Sequence, residues 1–198
     1  MAKVQWKPGT LLAPAPPVLV SCGDSEHYNV LTAAWTGIVC SDPAMTYVSV
    51  RRERYSHHII KEHGEFVINL PCANIARAVD LCGVKSGRDG DKFALAGITP
   101  ESSFTVAAPA VAESPVSLEC KVRQVLELGS HDMFLADITA VAVDPRFVDE
   151  KGALHLEKCG LLAYAHGAYF TLGRQVGTFG FSVRKKPAAK SRRQVNRG

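Results

Sequence analysis

Several polar and aromatic side chains fall where strand-like runs end: Asn29, Thr32 and Trp35 on one run, Arg51, Arg54 and Ser56 after the next, Lys92 in a glycine-rich loop and His131 in a turn. Cations and a hydroxyl just ahead of a helical segment suit a phosphate monoester, because the unpaired amides of a helix start add donors to the charge. Trp35 and Tyr164 offer flat apolar faces to a ring system. The chemistry these groups suit is the holding of a phosphorylated aromatic ligand. Each also has an ordinary reading: a core tryptophan, a solvated arginine pair, a turn histidine.

Other chemistries lack their residues. No G-x-G-x-x-G follows a strand and no G-x-x-x-x-G-K-[ST] occurs, so a phosphate site must be built otherwise. H-E-x-x-H and G-x-S-x-G are absent, and no S-x-x-K is arranged for nucleophilic hydrolysis. Cysteines lie at 22, 40, 72, 82, 120 and 159, too far apart for a short zinc or cluster motif, and no metal site is expected. His57, His58 and His63 sit at offsets that do not share a helical face and are expected to be exposed. Cys40 has no second thiol nearby in the chain and is expected to be a buried or packing thiol. No side chain is assigned as a catalytic acid, base or nucleophile.

The elements that must position these groups are mostly strands. Val18–Cys22 is a β-branched run closed by Gly23-Asp24-Ser25; Asn29–Val39 reads as one strand and Met45–Val50 as the next. Ser56–His63 reads as a helix ended by Gly64, and 65–71 returns to strand. Asn74–Cys82 carries Ile75, Ala78, Val79 and Cys82 at helical spacing, with Gly83 closing it. Val116–Leu126, Met133–Val143 and Tyr164–Leu172 are strand-like, and 129–132 reads as the turn between the first two. Strands in hairpin order, with few helices, argue for a mainly β fold, an antiparallel barrel with peripheral helices.

At 198 residues, 46% hydrophobic and 21% charged, the chain suits one globular domain, here 1–183. The net charge of +4 is carried by the end of the chain. Residues 184–198 hold seven Lys+Arg and no acid, which leaves 16 Lys+Arg against 19 Asp+Glu elsewhere, a net −3. That balance does not suit specific nucleic-acid binding, and the basic tail, 184–198, reads as a solvated end. Leu19-Val20-Ser21-Cys22 has the shape of a lipoprotein cleavage box, but Pro14, Pro16 and Pro17 break the apolar stretch it needs. With six cysteines in a chain of this size, free thiols in a cytoplasmic protein without a membrane span are expected.

The order of these segments resembles the flavin reductase-like proteins, whose fold is an FMN-binding split β-barrel, and among them the flavoredoxins. The pieces that carry the resemblance are Asn29-Val30-Leu31-Thr32-Ala33-Ala34-Trp35-Thr36-Gly37, Cys40-Ser41-Asp42-Pro43, Arg54-Tyr55-Ser56 with Ile60, and Gly64-Glu65-Phe66-Val67-Ile68-Asn69-Leu70-Pro71. They continue with Asp91-Lys92-Phe93, Glu113-Ser114-Pro115 with Leu118-Glu119-Cys120, and Gly129-Ser130-His131. Ser56 stands where many members have Thr, Ala44 where a second proline is common, and Ser130 where Asp often precedes the histidine.

The resemblance implies that Thr32, Ala33, Ala34 and Trp35 line the isoalloxazine, with Asn29 near the ring or ribityl chain and Cys40-Ser41 giving backbone contacts. It implies that Arg54, Ser56 and Lys92 hold the phosphate, with His131 and Tyr164 near the flavin. It further implies FMN as cofactor, NADH or NADPH as electron donor, and a flavin, iron chelate or redox protein as acceptor. Hydride transfer needs a stacked donor ring and no protein nucleophile, which agrees with the missing catalytic motifs. The alternative is a flavoredoxin-type carrier reduced by a partner protein without binding nicotinamide. A homodimer follows from the resemblance, with Phe179 and Phe181 as candidate anchors for the C-terminal arm.

Overall fold

The computed structural model describes residues 1–184. Its strands are β1 (Val18–Gly23), β2 (Tyr28–Ala33), β3 (Thr36–Ser41), β4 (Ala44–Arg51), β5 (Glu65–Leu70), β6 (Pro100–Glu101), β7 (Ala110–Val111), β8 (Val116–Leu128), β9 (His131–Val143), β10 (Leu162–Ala165) and β11 (Ala168–Thr171). Its α-helices are α1 (Tyr55–His63), α2 (Ala76–Val84) and α3 (Lys92–Ala96). Among the described residues no helix is long and apolar enough to cross a membrane. The basic tail, apart from Arg184, lies outside the described residues.

Seven strands form one sheet in the order β2-β1-β5-β8-β9-β4-β3, with every neighbouring pair antiparallel. β2 and β3 follow each other in the chain, yet they are the two edges of the sheet. Only Ala34 and Trp35 join them, a reach of at most about 11 Å. The sheet must therefore curl until its edges nearly meet. They do not pair, so the barrel stays split along one seam. Trp35 crosses that seam, and its carbonyl accepts from the Ser49 amide of β4 at 2.9 Å. The single strand expected over 29–39 is thus two strands, because a run of uniform β propensity does not reveal a change of partner.

Alternation along β1 makes two cores. Val18, Val20 and Cys22 face the barrel interior with Val48, Phe66 and Phe134, and Ile60 of α1 packs in the same cluster. Leu19 faces outward, with Val30, onto Ala78, Val79 and Cys82 of α2 and Phe93 of α3. Each such side chain gains about 1.5–3 kcal/mol by leaving water. β1 is buried along its whole length, which explains its unbroken apolar reading.

Other expectations shift in detail. Gly83 does not close its helix. α2 runs on to Val84, and a Cβ at Gly83 would meet Thr32 Cβ at 3.4 Å, so this glycine serves a close approach to β2. The β8–β9 turn is only Gly129-Ser130, and His131 and Asp132 already belong to β9. The strand-like run after 164 is the hairpin β10–β11, turned by His166 and Gly167, both at positive φ as a tight hairpin turn demands. Phe179 and Phe181 are exposed rather than packed within the chain, and all six cysteines are unbridged.

Candidate functional site

A cavity of about 460 Å³ lies along the seam. Thr32, Ala33, Ala34 and Trp35 form one side, where the chain crosses from edge to edge, and Ser49 to Arg51 of β4 form another. Gly83 of α2 and Tyr164 and Tyr169 of β10–β11 complete it. Thr32 Oγ1 donates to the Val79 carbonyl, which fixes β2 against α2. The rings of Trp35 and His131 stand 4.4 Å apart, tilted by 31°. His131 Nδ1 lies 2.9 Å from the Ser130 hydroxyl. Burial, and then the Arg51 charge opposite it in the ladder, push the His131 imidazole below its ordinary pKa, with Glu53 opposing. Both effects favour the uncharged ring.

A second cavity of about 360 Å³ meets the first at Leu31, Arg51 and Arg54. Its inner wall is the start of α1. Arg54 precedes that helix in extended conformation and provides no side-chain cap; its carbonyl accepts from the His57 amide at 3.0 Å, and the Tyr55 and Ser56 amides are left for a ligand. Asn29 Nδ2 donates to Ser56 Oγ at 2.6 Å, which sets both polar groups at the same depth. Lys92, 3% exposed, enters from α3, where the Asp91 carboxylate caps the helix that carries it. The Lys92 amine donates to the Cys82 carbonyl at 2.7 Å; among the described residues that is its one hydrogen bond, which leaves two N–H directions unspent. Burial, joined by the like charge of Arg54, pushes this amine down to about 8. A phosphate in the cavity would repay that cost, so the residues fit one.

The structure brings most of the expected residues together. Thr32, Ala33, Ala34, Trp35, His131 and Tyr164 line the seam cavity, Asn29, Ser56 and Lys92 line the inner one, and Arg54 lines both. Cys40 and Ser41 line neither. Ser41 pairs with Ala44 at the tip of the β3–β4 hairpin, whereas Thr36 beside the seam pairs with Val48, so the two residues are a strand's length away. Cys40 is half-buried, and its thiol reaches the Asp42 carbonyl.

Sequence reasoning passed over Lys85, Ser86, Gly87 and Arg88, which line the inner cavity from the loop after α2. Ser86 and Asp89 close that loop with a reciprocal capping box, and a serine followed by an acid three residues on was the local signal. His57 was expected on an exposed face and is instead buried. Its Nε2 lies 2.9 Å from Asp132 Oδ2, while Arg52 Nε donates to Asp132 Oδ1 at 2.7 Å. The first turn of α1 packs onto the start of β9, which helical offsets cannot reveal. No group of residues that could hold a metal occurs among the described residues.

A split barrel with an aromatic seam cavity and a cationic inner end can take a phosphorylated ring system. The family model for the flavin reductase like domain matches residues 11–173, and the chain belongs to that family. Flavoredoxin of Desulfovibrio vulgaris (Miyazaki F) superposes with a TM-score of 0.85 at 32% identity, over 92% of this chain and 100% of that one. A flavoredoxin from Methanosarcina acetivorans gives 0.85 at 25% identity, over 93% and 100%. A protein of Pyrococcus abyssi is 33% identical over 130 residues, 66% of this chain and 74% of its own. The chain has a flavin-associated redox role.

Proposed function

We propose that this chain binds FMN and acts as an oxidoreductase, receiving reducing equivalents from NADH or NADPH and passing them to a free flavin, an iron chelate or a redox protein. The observation that carries the reading is the uncapped start of α1 facing the buried Lys92 amine, joined to an aromatic cavity wide enough for a ring system. FMN supplies the hydride and electron transfer chemistry when bound. The chain's own residues bind and orient: Lys92, Arg54, Ser56 and the first amides of α1 hold the phosphate, and Asn29 fixes Ser56. Thr32 to Trp35 support the ring, with His131 and Tyr164 beside it. Arg51 supplies a cation near the ring, which favours the more negative reduced state.

The likeness to two flavoredoxins supports a second reading, a carrier that a partner protein reduces. One experiment separates the two. Protein purified without added flavin is expected to show flavin absorbance that NADH or NADPH bleaches under anaerobic mixing. Flavin absorbance that neither nucleotide bleaches would leave the carrier, and colourless protein that takes up no FMN would remove both.

A homodimer is part of the same proposal. Ile38 and Val39 stand exposed on β3, an unpaired sheet edge that a second copy would cover. Sedimentation at micromolar concentration is expected to give twice the chain mass; a monomer there contradicts it.

A further inference from the structure

The inner cavity ends at a wall, and beyond the wall lies a third cavity of about 640 Å³. The two spaces share three residues, Asn29, Tyr55 and Gly87, which therefore stand between them. These residues touch. A Cβ on Gly87 would stand 2.7 Å from Asn29 Oδ1 and closer still to the Tyr55 ring, so the loop backbone is pressed against both. Arg88 lies over the Tyr55 ring at 5.6 Å, and its guanidinium donates to the Glu53 carbonyl at 3.4 Å, which braces the ring. His58 packs edge-on against the same ring at 5.0 Å.

The far space has the wrong charge for a second phosphate. Asp24, Glu26, Glu62 and Asp91 line it together with His27, His58 and His63, and no Lys or Arg is among its lining residues. The Asp24 carboxyl accepts from the amides of Glu26 and His27, and these bonds hold it below its usual pKa and ionised.

We infer that Tyr55, braced by Gly87 and Arg88, is the end wall of the phosphate pocket and makes the site selective for a flavin mononucleotide over a flavin adenine dinucleotide. This inference rests on the flavin reading above and adds the discriminating residue. A monoester ends at the wall with all its free oxygens facing Lys92, Arg54 and the amides of α1. A dinucleotide must send a second phosphate either through the Tyr55–Gly87 contact into an acidic space or back toward solvent away from Lys92.

The test is calorimetric titration of the full chain, freed of flavin, with FMN and with FAD. Wild type is expected to prefer FMN by at least about tenfold, one charge-assisted hydrogen bond's worth of affinity. Tyr55→Ala is expected to narrow that preference several-fold, chiefly by a gain for FAD. Should this variant fail to fold, Tyr55→Leu, which removes the ring but keeps an apolar side chain against Gly87, is expected to narrow the preference in the same direction by less. Equal wild-type affinities overturn the inference, as does a preference unmoved in every folded variant. Absence of FMN binding in wild type is a different result: it rejects the flavin reading itself.

Discussion

Replacing Lys92 or Arg54 by Ala is expected to weaken FMN binding about 10- to 150-fold, the worth of a charge-assisted hydrogen bond of roughly 1.5–3 kcal/mol, while riboflavin binding changes little. The difference arises because both side chains line the inner cavity, where riboflavin places no charge. Equal losses for the two flavins in calorimetric titrations would remove these residues from the phosphate site. The same titrations carry a pH signature. Burial holds the free Lys92 amine at about 8, so between about pH 7 and 8, above the second ionisation of the phosphate near 6, the amine is largely charged and FMN affinity changes little. Above that range the amine must take up a proton on binding, and affinity falls by up to about tenfold per pH unit until the raised pKa of the bound state is reached. Lys92→Ala should abolish that slope, and a slope that survives the substitution belongs to another group.

Asp132→Asn is expected to lower stability by about 2–4 kcal/mol, since the carboxylate is buried and accepts from both Arg52 and His57. In a chain of this size that is a fall in melting temperature of roughly 5–15 °C. Burial alone would raise the Asp132 pKa, but the hydrogen bonds from Arg52 and His57 outweigh it and hold the carboxyl below its ordinary value. A depressed carboxyl contributes fully above the unfolded value of about 3.9 and loses its contribution as pH falls through the folded one. The gap between wild type and variant should therefore be full at pH 7 and shrink only below about pH 4. Thermal unfolding followed by circular dichroism at both pH values measures it, and a variant melting with wild type at pH 7 would show that Asp132 supports nothing.

Much was legible in the order of residues. The mainly β class, the helix 56–63 and the buried face of Ile75, Ala78, Val79 and Cys82 all follow from local periodicity and stop signals, because these record which face of an element meets the core. Arg54 and Ser56 were legible as a cation and a hydroxyl at a helix start, whereas Lys92 read as a loop residue and instead opens α3 behind the Asp91 cap. What periodicity cannot carry is the identity of an element's neighbours. Asn29–Val39 is of uniform β propensity, yet its halves become opposite edges of one sheet, and the seam between them exists only once the sheet curls. That curling brings Trp35 to His131, nearly a hundred residues on, and leaves Cys40 and Ser41 at a distant hairpin tip. Packing of α1 against β9 turns His57 from a solvent-facing residue into a partner of Asp132. The side chains that can hold a ligand were therefore set locally, whereas the cavity and its end wall were decided by contacts between segments far apart in the chain, which only closure of the sheet creates.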